Sequence, residues 1–145
     1  MMKLASSGTI GFMALVLAAC SSAGSASSNE DFPADAYASA TSDSGKYGLA
    51  VRFAPAQPPT PGTSRAKLTI VDATTKAPVE GANLSVVPWM PAMGHGASVM
   101  PTVSDEGGGS YLVDNVTFFM QGQWQLRVTF NAPTDDHANL DITVP

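Results

Sequence analysis

Three methionines and a histidine fall within eleven residues, in Pro88-Trp89-Met90-Pro91-Ala92-Met93-Gly94-His95-Gly96-Ala97-Ser98-Val99-Met100. Thioether sulfur and neutral imidazole suit a soft cation such as Cu(I), whereas Mg²⁺ or Ca²⁺ wants oxygen donors, and this segment has no carboxylate. Pro88 and Pro91 favour a polyproline II path with three residues per turn, which would put Met90 and Met93 on one side. Gly94 and Gly96 give the backbone freedom to swing His95 onto that side. Met100 joins if the loop folds back, and Trp89 is placed to cap a bound cation through its ring face. Met120 needs tertiary proximity that no spacing supplies. The candidate metal ligands are therefore Met90, Met93, His95 and Met100. The same residues also fit a second reading. Methionine fills irregular gaps and tryptophan anchors apolar contacts, so the segment could cover one end of a domain or form a contact surface.

Other chemistry is thinly represented. Ser110 follows glycines but sits in no Gly-x-Ser-x-Gly turn between strand and helix. Gly107-Gly108-Gly109 is not followed by Lys-Ser/Thr, so it reads as a turn and not a phosphate cradle. Asp105-Glu106 and Asp135-Asp136-His137 read as solvated loop charge, since adjacent side chains diverge too far to grip one hard ion. No enzymatic activity is expected.

The N-terminus bears on where this chemistry takes place. Lys3 precedes an apolar run, Ile10 to Leu17, and then Ala18, Ala19 and Cys20. The run is shorter than the roughly 20 apolar residues a membrane span needs, and its three-part layout is that of a secretion signal. Leu17-Ala18-Ala19-Cys20 resembles the bacterial lipobox, which implies cleavage after residue 19 and acylation of Cys20. Ser21 follows, with no Asp there, and by resemblance to other lipoproteins this directs a Gram-negative protein to the outer membrane. The expected location is the cell envelope, facing the periplasm, with the lipid on Cys20 as the membrane contact and an envelope protein as a further partner. Cys20 is the only cysteine, so no disulfide within the chain can hold the fold. Cleavage changes the formal charge from -5 to -6 by removing Lys3. So acidic a domain is a poor match for the phosphates of nucleic acid.

Residues 20–45 are rich in Ser, Ala, Gly and Asp without apolar periodicity, the composition of a flexible linker in which Phe32 and Tyr37 are isolated. From about Lys46 alternation sets in, the mark of half-buried strands. Leu49, Val51 and Phe53 share one parity, as do Leu68 and Ile70, Leu84 and Val86, and Tyr111 and Val113. Trp124, Leu126, Val128 and Phe130 make the clearest case, and Leu140, Ile142 and Val144 the last. Pro55 to Gly62, Asp72 to Gly81, Gly107 to Gly109 and Asn131 to Asp136 are the turns between them, the second as a hairpin connection. About seven short strands over residues 46–145, with no helical spacing, predict an all-β, immunoglobulin-like antiparallel β-sandwich, with a small barrel as the alternative.

Three stretches carry a family likeness: Pro78-Val79-Glu80-Gly81-Ala82-Asn83-Leu84-Ser85-Val86, then Met90-Pro91-Ala92-Met93-Gly94-His95, then Met120-Gln121-Gly122-Gln123-Trp124-Gln125-Leu126-Arg127-Val128. Their order over residues 46–145 resembles the YtkA-like domain, a group related to FixH-type periplasmic domains. The resemblance implies an extracytoplasmic β-sandwich, associated in some relatives with copper handling or cytochrome oxidase assembly. It also implies Met90, Met93 and His95 as ligands and Trp124 as a core residue. FixH-type proteins carry a transmembrane anchor where this chain has a lipobox, a difference that weakens transfer of the oxidase-assembly role.

Overall fold

The structure, a computed structural model, describes residues 31–145; the signal segment and Cys20 lie outside them. Among the described residues there is no helix. Nine strands follow in order: β1 Ala38–Thr41, β2 Tyr47–Ala54, β3 Gly62–Asp72, β4 Asn83–Met90, β5 His95–Gly96, β6 Thr102–Gly107, β7 Ser110–Phe118, β8 Gly122–Ala132 and β9 Asp136–Val144. They form one antiparallel sheet in the order β1-β2-β3-β7-β6 and a second in the order β5-β4-β8-β9. Taken without β1, this is the immunoglobulin-type arrangement, four strands of A-B-E-D order facing C-F-G with a short extra strand beside C.

Alternation decides which side of each strand is inside. Along Trp124, Leu126, Val128 and Phe130 every second residue is buried, and Leu140, Ile142 and Val144 repeat this on β9. The opposite sheet supplies Val51, Phe53, Leu68, Ile70, Tyr111, Val113 and Phe118, all at 1% exposure or less. With no disulfide, this apolar interlayer is the main source of stability.

The strand count exceeds the expectation at the edges. β1 lies in what reads as linker, and it contributes only Ala38 and Ala40 to the packing. β6 has one inward apolar residue, Val103, along an otherwise exposed edge. Strands so poor in apolar residues leave almost no period-two signal. Asp72 to Gly81 also proves not to close a hairpin, because it carries the chain from β3 in one sheet to β4 in the other.

The linker expectation fails from Tyr37 onward, where the chain is clasped to the far sheet at both ends of β1. The Tyr37 hydroxyl donates to the Thr143 carbonyl (2.9 Å) and accepts from the Thr143 amide (3.1 Å). Its ring packs edge-on against Phe53, and Phe32 lies under the Lys67 ammonium, 4.9 Å from the ring centre. At the other end the Asp43 amide donates to the His137 carbonyl (2.8 Å). Asp136 is the second correction: it is buried, not solvated. It accepts from the Ser44 hydroxyl (2.5 Å), the His137 amide (2.9 Å) and the Ser44 amide (3.2 Å).

Burial alone would raise the pKa of Asp136. The hydrogen bonds from Ser44, Ser42 and the His137 amide outweigh it and hold the carboxyl at about 2, below its ordinary 3.8. Because the folded value is depressed, the stabilisation is complete above the unfolded value and is lost as pH falls from about 4 toward 2. The loss expected is roughly 1–2 kcal/mol. Urea midpoints measured across that range should show the decline in the natural protein and much less of it in Asp136→Asn.

Candidate metal centre

β4 ends at Met90, and the chain reverses at once. The amides of Met93 and Gly94 both donate to the Met90 carbonyl (3.1 and 3.0 Å), with Gly94 at a φ of 68°. This tight turn replaces the polyproline path expected for the segment, and it pairs Met90 directly with His95 across the β4–β5 hairpin. Directly opposed residues of an antiparallel pair share a face. The two side chains therefore project to the inner side of their sheet, Met90 into the core and His95 beyond its margin.

Gly96 makes that pairing possible. A Cβ there would sit 2.5 Å from the Pro88 carbonyl oxygen, which no side chain can tolerate. Pro88 is accommodated in β4 because its carbonyl faces the β5 side, accepting from the Ala97 amide (3.4 Å). Its missing N–H points the same way and withdraws nothing from the β8 ladder.

The four expected ligands are placed differently. Met90 is 7% exposed and belongs to the core cluster. Its methyl group lies where a Cβ on Gly122 would be, at 2.6 Å. Met93 and Met100 are open to solvent at 53% and 59%, and His95 is exposed on the short β5 strand. Trp89, on the opposite parity, faces away from this group, with the Arg127 guanidinium 4.5 Å from its ring centre. It is not a cap for the loop.

Two residues that sequence reasoning did not place here are brought in by the β7–β8 turn. The Phe119 ring stacks on His95 at 5.3 Å with an 18° interplanar angle, and Met120 beside it is 40% exposed. The Trp124 indole N–H donates to the Met120 carbonyl (3.0 Å), fixing this turn on the core. The pair Phe118-Phe119 held no signal for this: Tyr111 and Val113 are inward at odd positions, and an irregularity at Asn115 (φ 63°) switches the inward parity to Val116 and Phe118, which turns Phe119 out. Behind the stack runs a row of rings, Phe119 on Trp124 (4.7 Å), Trp124 on Phe118 (5.3 Å) and Phe118 on Phe53 (5.8 Å). His95 thus rests on a rigid floor. Beside it lies an open recess of about 320 Å³ lined by His95, Ala97, Ser98, Val99, Thr117 and Phe119.

Among the described residues, no three of His, Cys, Asp and Glu are grouped to hold a metal, and Asp135, Asp136 and His137 do not form such a group. A cation held at this rim would depend on thioethers and His95. From Trp89 to Pro101 and from Thr117 to Gln125 the chain has no Lys, Arg, Asp or Glu. That donor set fits Cu(I) and not a hard ion.

Two facing antiparallel sheets with a methionine- and histidine-bearing rim define an all-β sandwich domain of immunoglobulin type. The chain belongs to the YtkA-like family, whose model matches residues 41–129. No curated protein and no solved structure matches it significantly.

Proposed function

We propose that this is a non-enzymatic, lipid-anchored protein of the bacterial envelope that binds Cu(I) at its Met/His rim and exchanges it with an envelope partner. The observation that carries the reading is that three exposed thioethers, Met93, Met100 and Met120, and the exposed imidazole of His95 stand on two segments at one end of the domain, which are joined by the stacking of Phe119 on His95. The donors stand in a setting without formal charge, where no carboxylate favours a hard ion and no ammonium repels a cation. Cys20, once acylated, has no thiolate to offer, so the soft chemistry falls to these side chains. Met90 supports the hairpin from the core side.

The test is a titration of the lipidated protein in detergent with Cu(I) against a competing chelator. One equivalent should be retained. Met93→Ala, His95→Ala and Met100→Ala should each weaken retention by about tenfold or more, equivalent to about 1.4 kcal/mol. Uptake indifferent to all three changes, or no uptake, would sink the metal reading and leave the rim as an apolar contact surface.

A further inference from the structure

Four methionines follow Cys20 in the chain, and the fold divides them into two kinds. Met93, Met100 and Met120 are exposed, whereas Met90 is buried in the core cluster with its methyl group over Gly122. A peroxide oxidises a thioether through attack by a sulfur lone pair on one peroxide oxygen. The S–O bond forms as the O–O bond breaks, and sulfur gives up two electrons. The departing hydroxide takes the proton of the transferred oxygen and leaves as water. Solvent must hydrogen-bond that hydroxide as it departs, so reactivity follows the access of water to the sulfur. The product differs in kind from the thioether. A sulfoxide is polar and offers an oxygen, a harder donor that no longer favours Cu(I). Neither turn depends on a methionine side chain for its shape. The Met93 amide is held by the Met90 carbonyl, and the Met120 carbonyl by the Trp124 indole.

We propose that Met93, Met100 and Met120 are reversible oxidation sites, and that their conversion to sulfoxides by a peroxide releases Cu(I) from the rim without unfolding the domain. The inference rests on the Cu(I) reading of the rim. Met90 is the internal reference, a chemically identical side chain in the same hairpin that is closed to solvent. Its protection keeps a polar sulfoxide out of the layer between the sheets, where it would disrupt the packing. Oxidation therefore changes the donors and spares the scaffold, and reduction of the three sulfoxides returns the rim to its soft state.

The experiment treats the lipidated protein in detergent with hydrogen peroxide and locates the added oxygen by tandem mass spectrometry. Cu(I) retention against a competing chelator is read before treatment and after it. It is read again after incubation with two methionine sulfoxide reductases of opposite stereospecificity. One oxygen should appear on each of Met93, Met100 and Met120 while Met90 stays unmodified. The urea midpoint should hold, and Cu(I) retention should weaken by about tenfold or more. The reductases should restore both mass and retention. Oxidation of Met90 as fast as the other three, or a midpoint that falls with their oxidation, overturns the division between rim and core. Three sulfoxides with undiminished retention overturn the switch. Retention that stays lost once the mass is restored assigns the loss to another group, such as His95, and overturns it too. A chain that retains no Cu(I) before peroxide is added overturns the metal reading itself and the switch with it, a result distinct from all the others.

Discussion

Trp124→Ala is expected to lower the stability of the domain by about 3–5 kcal/mol, the cost of removing a fully buried indole and leaving its cavity. Trp124 is 1% exposed and lies between Phe118 and Phe119. Its N–H also satisfies the Met120 carbonyl. With no disulfide to hold the unfolded chain compact, such a loss is a large share of the roughly 5–15 kcal/mol that a domain of this kind has in total. The urea midpoint should fall by more than about 1 M, with the slope of the transition unchanged. A loss below about 1 kcal/mol would mean that the aromatic row is not the keystone of this end. The change should also reach the surface, because Phe119 loses its backing and His95 loses the ring it stacks on. Cu(I) retention should drop in the folded fraction as well.

Gly96→Ala separates site from core. The added methyl meets the Pro88 carbonyl at 2.5 Å, backbone that cannot turn aside. The two pairs holding β5 to β4 must therefore open. β5 is two residues long and contributes nothing to the core cluster, so the midpoint in urea should move little. His95 leaves its position opposite Met90 and on Phe119, and Cu(I) affinity should fall by about tenfold or more. Intact affinity, with hydrogen exchange showing the Ala97 amide released, would remove His95 from the ligand set.

The sandwich was legible where burial is one-sided and side chains are large. On β8 and β9 the pattern is close to a direct transcript of the layer between the sheets. It was illegible where a strand is held by hydrogen bonds and neighbours rather than by apolar area. β1 is recognisable only through its partners, Thr143 and the Asp136 cluster, roughly a hundred residues further along. Asp136 shows the same limit: nothing local distinguishes a solvated carboxylate from one that will receive hydroxyl and amide donors from the β1–β2 turn. At the rim, composition named Met93, His95 and Met100. Which methionine faces inward depended on the hairpin register, and the tight turn set Met90 into the core. Phe119 came from a separate turn, and only the packing of two hairpin ends brought it onto His95.

The clasps at the two ends of β1 also have a mechanical meaning. Tyr37 joins β1 to β9 by a bond given and a bond received from a single residue, and the turn after β1 is tied to the start of β9. A pull applied ahead of Tyr37 is therefore shared across the seam between the sheets from its first increment. Without the stitch, the load would fall on the β1–β2 pairs and the few bonds that residues 32–37 make to the same sheet, which could give way one at a time. With it, the domain yields as a block.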